Sequence, residues 1–213
     1  MPSPELSKKL QDIVFLGGIF TPGQIEMIQR ESKGVIQNAA DALQKSLIEG
    51  LAVTYPGKVS VVNLPYISAY PVAFNKATFP ATTETIFSDV EVRGVGFIVL
   101  RYVKPFSRAL SAFLGLRKAS SAAPIVVVYA AHLPFRWGAA AYRMTTPKAR
   151  ICLVLPDFPE FMGEGGWLYN IAKSIESRIF YGIARSIDCF VVLTAAMAER
   201  MEQHRRSPAC ASC

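Results

Sequence analysis

Apolar residues along the chain fall into two rhythms. Short unbroken runs at residues 13–16, 59–64, 97–100, 125–129, 151–155 and 189–193 are rich in β-branched side chains. Being continuous rather than alternating, they read as strands covered on both faces, as in a parallel sheet. Between them, apolar positions recur with helical spacing. Ile36, Ala39, Ala40, Leu43, Leu47 and Leu51 form one stripe. Leu168, Ile171, Ile175, Ile179, Ile183 and Ile187 form another, with Lys173, Glu176, Ser177 and Arg185 on its other faces. A further helix is expected after Pro105, with Phe106, Leu110, Phe113 and Leu114 on one face and Arg108, Arg117 and Lys118 bordering it. Strand and helix alternate, so the pattern predicts an α/β fold with a doubly wound, mostly parallel sheet. Residues 66–92 are less regular, and 83–86 and 90–92 read as extra strands or a hairpin. One domain is expected over residues 1–202, followed by a polar, disordered tail at 203–213.

Composition adds a bias toward partners. Hydrophobic residues make up 51% of the 213 residues and charged ones 18%, and mean hydropathy is +0.28. A chain of this length buries a full core, and the apolar surplus suggests a surface kept for a partner or a membrane. The formal net charge is +7. No acidic residue stands between Glu91 and Asp157, while ten lysines and arginines run from Arg93 to Arg150. That asymmetry suits a solvated basic face or a polyanionic partner. The basic residues accompany aliphatic faces and no nucleic-acid module is present, so an anionic lipid surface or a diphosphate is preferred to nucleic acid. The segment 101–118, with Arg101, Lys104, Arg108, Arg117 and Lys118, is a candidate for membrane or anion contact; its apolar face equally suits packing on the sheet. Apolar runs such as 122–131 fall far short of the ~20 residues of a spanning helix, so membrane contact is expected to be peripheral. Cys152 and Cys189 lie in apolar runs and read as small buried hydrophobes. Cys210 and Cys213 lie in the tail. Nothing resembles a disulfide framework, and a reducing cytoplasm is expected.

In an open parallel sheet, ligands bind beyond the carboxyl ends of the strands. The predicted strands run there into Gly17-Gly18, Pro65-Tyr66, His132-Leu133-Pro134, Pro156-Asp157-Phe158-Pro159-Glu160 and Thr194. The glycine pair lets backbone amides approach a phosphate, or makes a plain turn. It is no dinucleotide fingerprint, which disfavours a nicotinamide domain. His132 suits a hydrogen bond to a sugar hydroxyl or phosphate, or a structural place in the core. Asp157 suits orientation of a hydroxyl, a helix cap or an ion pair. No serine-nucleophile elbow, phosphate-binding P-loop or zinc-protease motif is present. Carboxylates and histidines are too dispersed for a catalytic metal site.

The phrases IVFLGG, IVVVYAAHLP, ICLVLPDFPEFM and DCFVVLTAAMAERM stand in an order and spacing that resembles the N-terminal domain of retaining GT-B glycosyltransferases of the family 4 group. The likeness covers residues 11–202. It implies a Rossmann-like acceptor-binding domain facing a second domain that holds a nucleotide-sugar. By position, Gly17 and Gly18 would form the donor-diphosphate loop and His132 would contact the donor sugar as the catalytic residue. Asp157, Glu160 and Thr194 would face the cleft. The acceptor expected by resemblance is a saccharide, lipid-linked and destined for exopolysaccharide or cell-envelope assembly. A complete family member continues into the donor domain with its acidic motif, whereas this sequence ends at Cys213. The chain alone is therefore expected to bind no cofactor and to turn over poorly, its nucleotide-sugar being the substrate of the complete enzyme. The alternative expectation is a non-catalytic membrane-recruitment subunit of a split glycosyltransferase, peripheral at the inner face of the cell membrane.

Overall fold

The computed structural model describes residues 10–87, 89–119, 123–157 and 187–206. In chain order the elements are β1 (Ile13–Gly17), α1 (Pro22–Glu31), α2 (Asn38–Thr54), β2 (Val59–Asn63), β3 (Thr78–Phe79), β4 (Thr82–Ile86), β5 (Val90–Gly94), β6 (Phe97–Ile98), α3 (Lys104–Ala119), β7 (Ile125–Tyr129), α4 (Leu133–Thr145), β8 (Arg150–Leu155), β9 (Cys189–Val192) and α5 (Ala195–Arg206). Seven strands form one sheet in the order β4-β5-β2-β1-β7-β8-β9. Every neighbouring pair is parallel except β4 with β5. This is the expected Rossmann-like α/β sheet, and its strand order reverses between β1 and β7.

The strand pleat sorts side chains into two cores. Val14, Leu16, Val62, Leu64, Val126 and Val128 join the layer covered by α3 and α4, with Ala112, Leu116, Phe135 and Tyr142. Ile13, Phe15, Val59, Val61 and Tyr129 join the opposite layer with Ile48 of α2. Strands buried on both faces are the reason their sequences run apolar without a break. α2 carries the predicted stripe from Ala40 to Leu51 at the edge of this core, but its buried residues are Gln44 and Ile48. Ile36 lies ahead of the helix and packs on the other core.

Three expectations differ from the structure. Residues 97–100 do not enter the main sheet: β6 pairs antiparallel with β3 in a separate ribbon. Phe97 and Val99 are buried there with Phe74 and Phe79, so their burial comes from an aromatic layer rather than two sheet faces. The third parallel strand is β5, joined to β4 as a hairpin-like antiparallel pair. Cys189 is exposed and Cys152 half-buried, and the two stand directly opposite in the β8–β9 register. α5 continues to Arg206, past the expected boundary at residue 202. The second predicted helical stripe, 168–187, lies outside the described residues apart from Ile187, which is buried.

α3 and α4 cross at small residues. A Cβ on Gly138 would stand 2.7 Å from the Ala112 methyl and 2.8 Å from the Ala109 carbonyl oxygen, so only glycine admits this approach. Among the described residues, no helix is long and apolar enough to cross a membrane.

Candidate functional site at the strand carboxyl ends

The strand order reverses between β1 and β7, the place beyond the strand ends where such sheets take their ligands. Immediately after β7 the backbone turns through Ala130, whose φ is +63°. This left-handed conformation is costly for a residue with a Cβ, about 1–3 kcal/mol, and tends to persist where function over-determines it. His132 follows and precedes the first residue of α4. Its ring stands edge-on to Tyr66 and Phe135, with centroids 5.4 and 5.0 Å away. Nε2 is buried and finds no hydrogen-bond partner. Burial first, then the charges of Arg108 and Lys104, hold the imidazole well below its ordinary pKa, so it is neutral at physiological pH.

Arg108 is the unexpected member of this group. The sequence placed it at the border of an apolar face, as a candidate membrane or anion contact, yet it is 1% exposed and points inward from α3, so it is not part of an outer membrane-contact surface. On the helix it lies with Ser111, Ala112 and Gly115, whose small side chains leave room beneath them. Its Nη1 and Nη2 donate to the carbonyls of Pro65 and Leu64 at 2.9 and 2.7 Å. The guanidinium carbon lies 5.0–5.4 Å from the ring centres of Tyr66, Phe97 and Phe135, within the range of cation–π attraction. Burial brings its pKa down to about 10, leaving it charged at neutral pH. Lys104 donates to the Ile67 carbonyl, and burial followed by repulsion from Arg108 lowers it to about 8. Two cations thus hold the chain after β2. Tyr66 in turn donates to the Tyr129 carbonyl at 3.2 Å, joining that segment to the end of β7.

The turn after β1 is held differently from the expected diphosphate loop. The amides of Gly18, Ile19 and Phe20 donate to Gln44 Oε1, Asn63 Oδ1 and Asp41 Oδ1 at 2.8, 2.8 and 2.6 Å. Glu84 of β4 accepts from the Thr21 hydroxyl at 2.5 Å and the Gly23 amide at 3.0 Å, placing a carboxylate at the positive end of α1. The donors that an anion would use are already engaged inside the chain. Glycine at 18 is required by packing: a Cβ there would lie 2.6 Å from the Leu64 carbonyl oxygen and 2.8 Å from the Tyr66 ring. Beside this turn a pocket of about 500 Å³ is lined by Phe20, Thr21, Pro22, Lys45, Thr85 and Phe87, of a size that accommodates a small ligand.

Of the remaining predicted site residues, Asp157 is exposed just after β8. After burial itself, its charge is the next influence raising the pKa of Tyr129, which places it in electrostatic reach of the β7 end. Thr194 lies after β9 and caps α5, its hydroxyl accepting from the Met197 amide at 3.3 Å. Glu160 lies outside the described residues. Arg101 stacks on Tyr102, and Arg117 and Lys118 are exposed at the far end of α3. The structure therefore gathers Gly18, His132 and Asp157 at the carboxyl ends of β1, β7 and β8 and adds Tyr66, Arg108 and Phe135. One signal for Arg108 was available: on a helical wheel it lies opposite Phe106, Leu110 and Leu114.

No protein-family profile matches the sequence, and no curated protein is detectably similar to it. Among solved structures, an α,α-trehalose 6-phosphate synthase from Burkholderia multivorans aligns with a TM-score of 0.52 at 11% identity, over 92% of this chain and 42% of that one. At this identity the likeness is one of fold: the chain shares a Rossmann-like α/β architecture with part of that protein and spans less than half of its length.

Proposed function

We propose that the chain is the acceptor-side half of a retaining, family-4-type glycosyltransferase, acting with a second α/β half that holds a nucleotide-sugar. The observation that carries this reading is the neutral His132, with its Nε2 buried and unpartnered among the described residues, two positions after the left-handed Ala130 at the strand-order reversal. An unpaired buried imidazole nitrogen costs stability, and a substrate hydroxyl would satisfy it. Tyr66 and Phe135 fix the ring plane, and Arg108 fixes Tyr66 through the chain after β2. A fixed donor or acceptor at a reacting sugar contributes by orientation and by electrostatics prepared in advance. Stabilisation of the departing diphosphate falls to the facing half, because the amides of the β1–α1 turn are engaged within this chain. Asp157 stands at the mouth as a second contact for hydroxyls. The acceptor class we favour is a lipid-linked saccharide of envelope or exopolysaccharide assembly.

Binding of the purified chain to an array of free and lipid-linked saccharides tests the reading. At least one saccharide should bind, and His132→Ala should weaken it roughly ten-fold, the loss of one buried hydrogen bond. The same preparation should release no measurable nucleoside diphosphate from nucleotide-hexoses. An array without hits, or efficient turnover by this chain alone, overturns the proposal.

A further inference from the structure

α3 turns the usual amphipathic arrangement around. Its inward face carries small residues and a buried cation: Arg108, Ser111, Ala112, Gly115 and Leu116. Its outward face carries the large apolar side chains, with Phe106 65% exposed, Leu110 59% and Leu114 43%. The neighbouring helix extends the same surface. Trp137 of α4 stacks on Phe106 at 5.8 Å between ring centres. Two turns further along α4, Met144 is 84% exposed. Just before α3, Tyr102 is exposed beside Arg101. Exposing this much contiguous apolar area to water is unfavourable unless something covers it.

The charges around the patch select the occupant. Arg117 falls on the outward face between the positions of Phe106 and Leu110 on the helical wheel, and lies 5.8 Å from the Phe113 ring. Lys118 borders it, and among the described residues neither meets a carboxylate. The sequence supplies no acidic residue anywhere between Glu91 and Asp157. A protein partner of ordinary mixed charge would find no negative group here to match its own cations. Anionic headgroups need none. Exposed aromatic rings with basic chains long enough to reach upward from an apolar surface suit the boundary between headgroups and acyl chains.

We propose that the outward faces of α3 and α4 form a docking surface for an anionic lipid bilayer, with Phe106, Leu110, Leu114, Trp137 and Met144 entering the interface and Arg101, Arg117 and Lys118 meeting the headgroups. The surface is separate from the His132 crevice, and the inference does not depend on glycosyl transfer: vesicle binding and saccharide binding are measured independently.

Co-sedimentation of the full chain with vesicles tests it, using phosphatidylcholine alone and phosphatidylcholine doped with phosphatidylglycerol. The chain should sediment with the anionic vesicles and be released at high salt. The exposed double variant Arg117→Ala/Lys118→Ala should lower partitioning roughly thirty-fold, from about 1 kcal/mol for each basic residue near the surface. Phe106→Ser/Leu110→Ser should lose binding while keeping the circular dichroism of the parent. With Trp167→Phe to leave Trp137 as the emitter, tryptophan emission should shift to the blue on vesicle addition, and not when Phe106→Ser/Leu110→Ser is added. Failure to bind anionic vesicles at low salt overturns the proposal. So does binding indifferent to both double variants. A dimer that the Phe106/Leu110 variant dissociates, without vesicle binding, assigns the patch to a second copy of the chain instead.

Discussion

The guanidinium of Arg108 sits among Tyr66, Phe97 and Phe135 with two backbone carbonyls as its hydrogen-bond acceptors. Among the described residues no carboxylate neutralises it, so ring faces and carbonyl dipoles carry the compensation. Arg108→Met would take the donor from the Leu64 carbonyl and leave the Pro65 carbonyl with the Ile67 amide alone, while keeping much of the volume. We expect a loss of about 2–4 kcal/mol, read as a lower urea midpoint with an unchanged slope; an unchanged midpoint would show that the buried charge costs as much as it contributes. His132 gives a second prediction at this scale. The folded chain holds it neutral well below 6.5, whereas the unfolded chain takes up a proton near that value. Between the two values the unfolded state binds more protons, so stability falls as pH drops below 6.5. The sequence holds two histidines, and proton NMR with His204→Gln to assign them should show His132 still neutral through the range in which an ordinary imidazole takes up its proton. A His132 that titrates near 6.5 would refute the desolvated, cation-flanked environment of its ring.

At the scale of elements, the α3–α4 crossing depends on Gly138. Gly138→Val would drive a side chain into Ala112 and the Ala109 carbonyl, which helices cannot relieve by rotating a side chain away. Overpacking of this kind costs about 1–3 kcal/mol, and thermal unfolding should show it as a lower Tm; a variant as stable as the parent would mean that the helices slide apart freely. The same elements show what sequence makes legible. β1, β2, β7 and β8 were readable because both faces of each are covered and their residues are continuously apolar. The run at 97–100 was equally apolar, yet its cover is an aromatic cluster, and periodicity cannot tell one cover from another. β5 was harder to read, since Val-Glu-Val-Arg-Gly alternates like a half-covered strand. The candidate site divides in the same way. Residues that end a strand, such as His132, Asp157 and Thr194, announce themselves by position. Arg108 and Gln44 reach the crevice from helices on opposite faces of the sheet, an arrangement created by packing that no local pattern records.

Taken whole, the molecule is a sheet with unequal sides. α2 covers one face with side chains that end at that core, while α3 and α4 cover the other and present a second apolar surface outward. The fold of a trehalose 6-phosphate synthase matches this chain over less than half of that protein, and the facing half invoked above would occupy the edge where the strands end. α3 begins beside that edge, where Arg108 reaches Leu64 and Pro65, and runs back along the sheet to set Gly115 against Val62. In the proposed docking, α3 laid flat on a bilayer would hold the sheet about 10 Å, one helix diameter, above the headgroups, with the strands running along the plane. The strand ends would then face sideways like a drawer, neither down into the lipid nor up toward the solvent. For the lipid-linked acceptor proposed above, a short polar head would stay beneath that opening, and one lengthened by phosphates or sugars would rise to meet it.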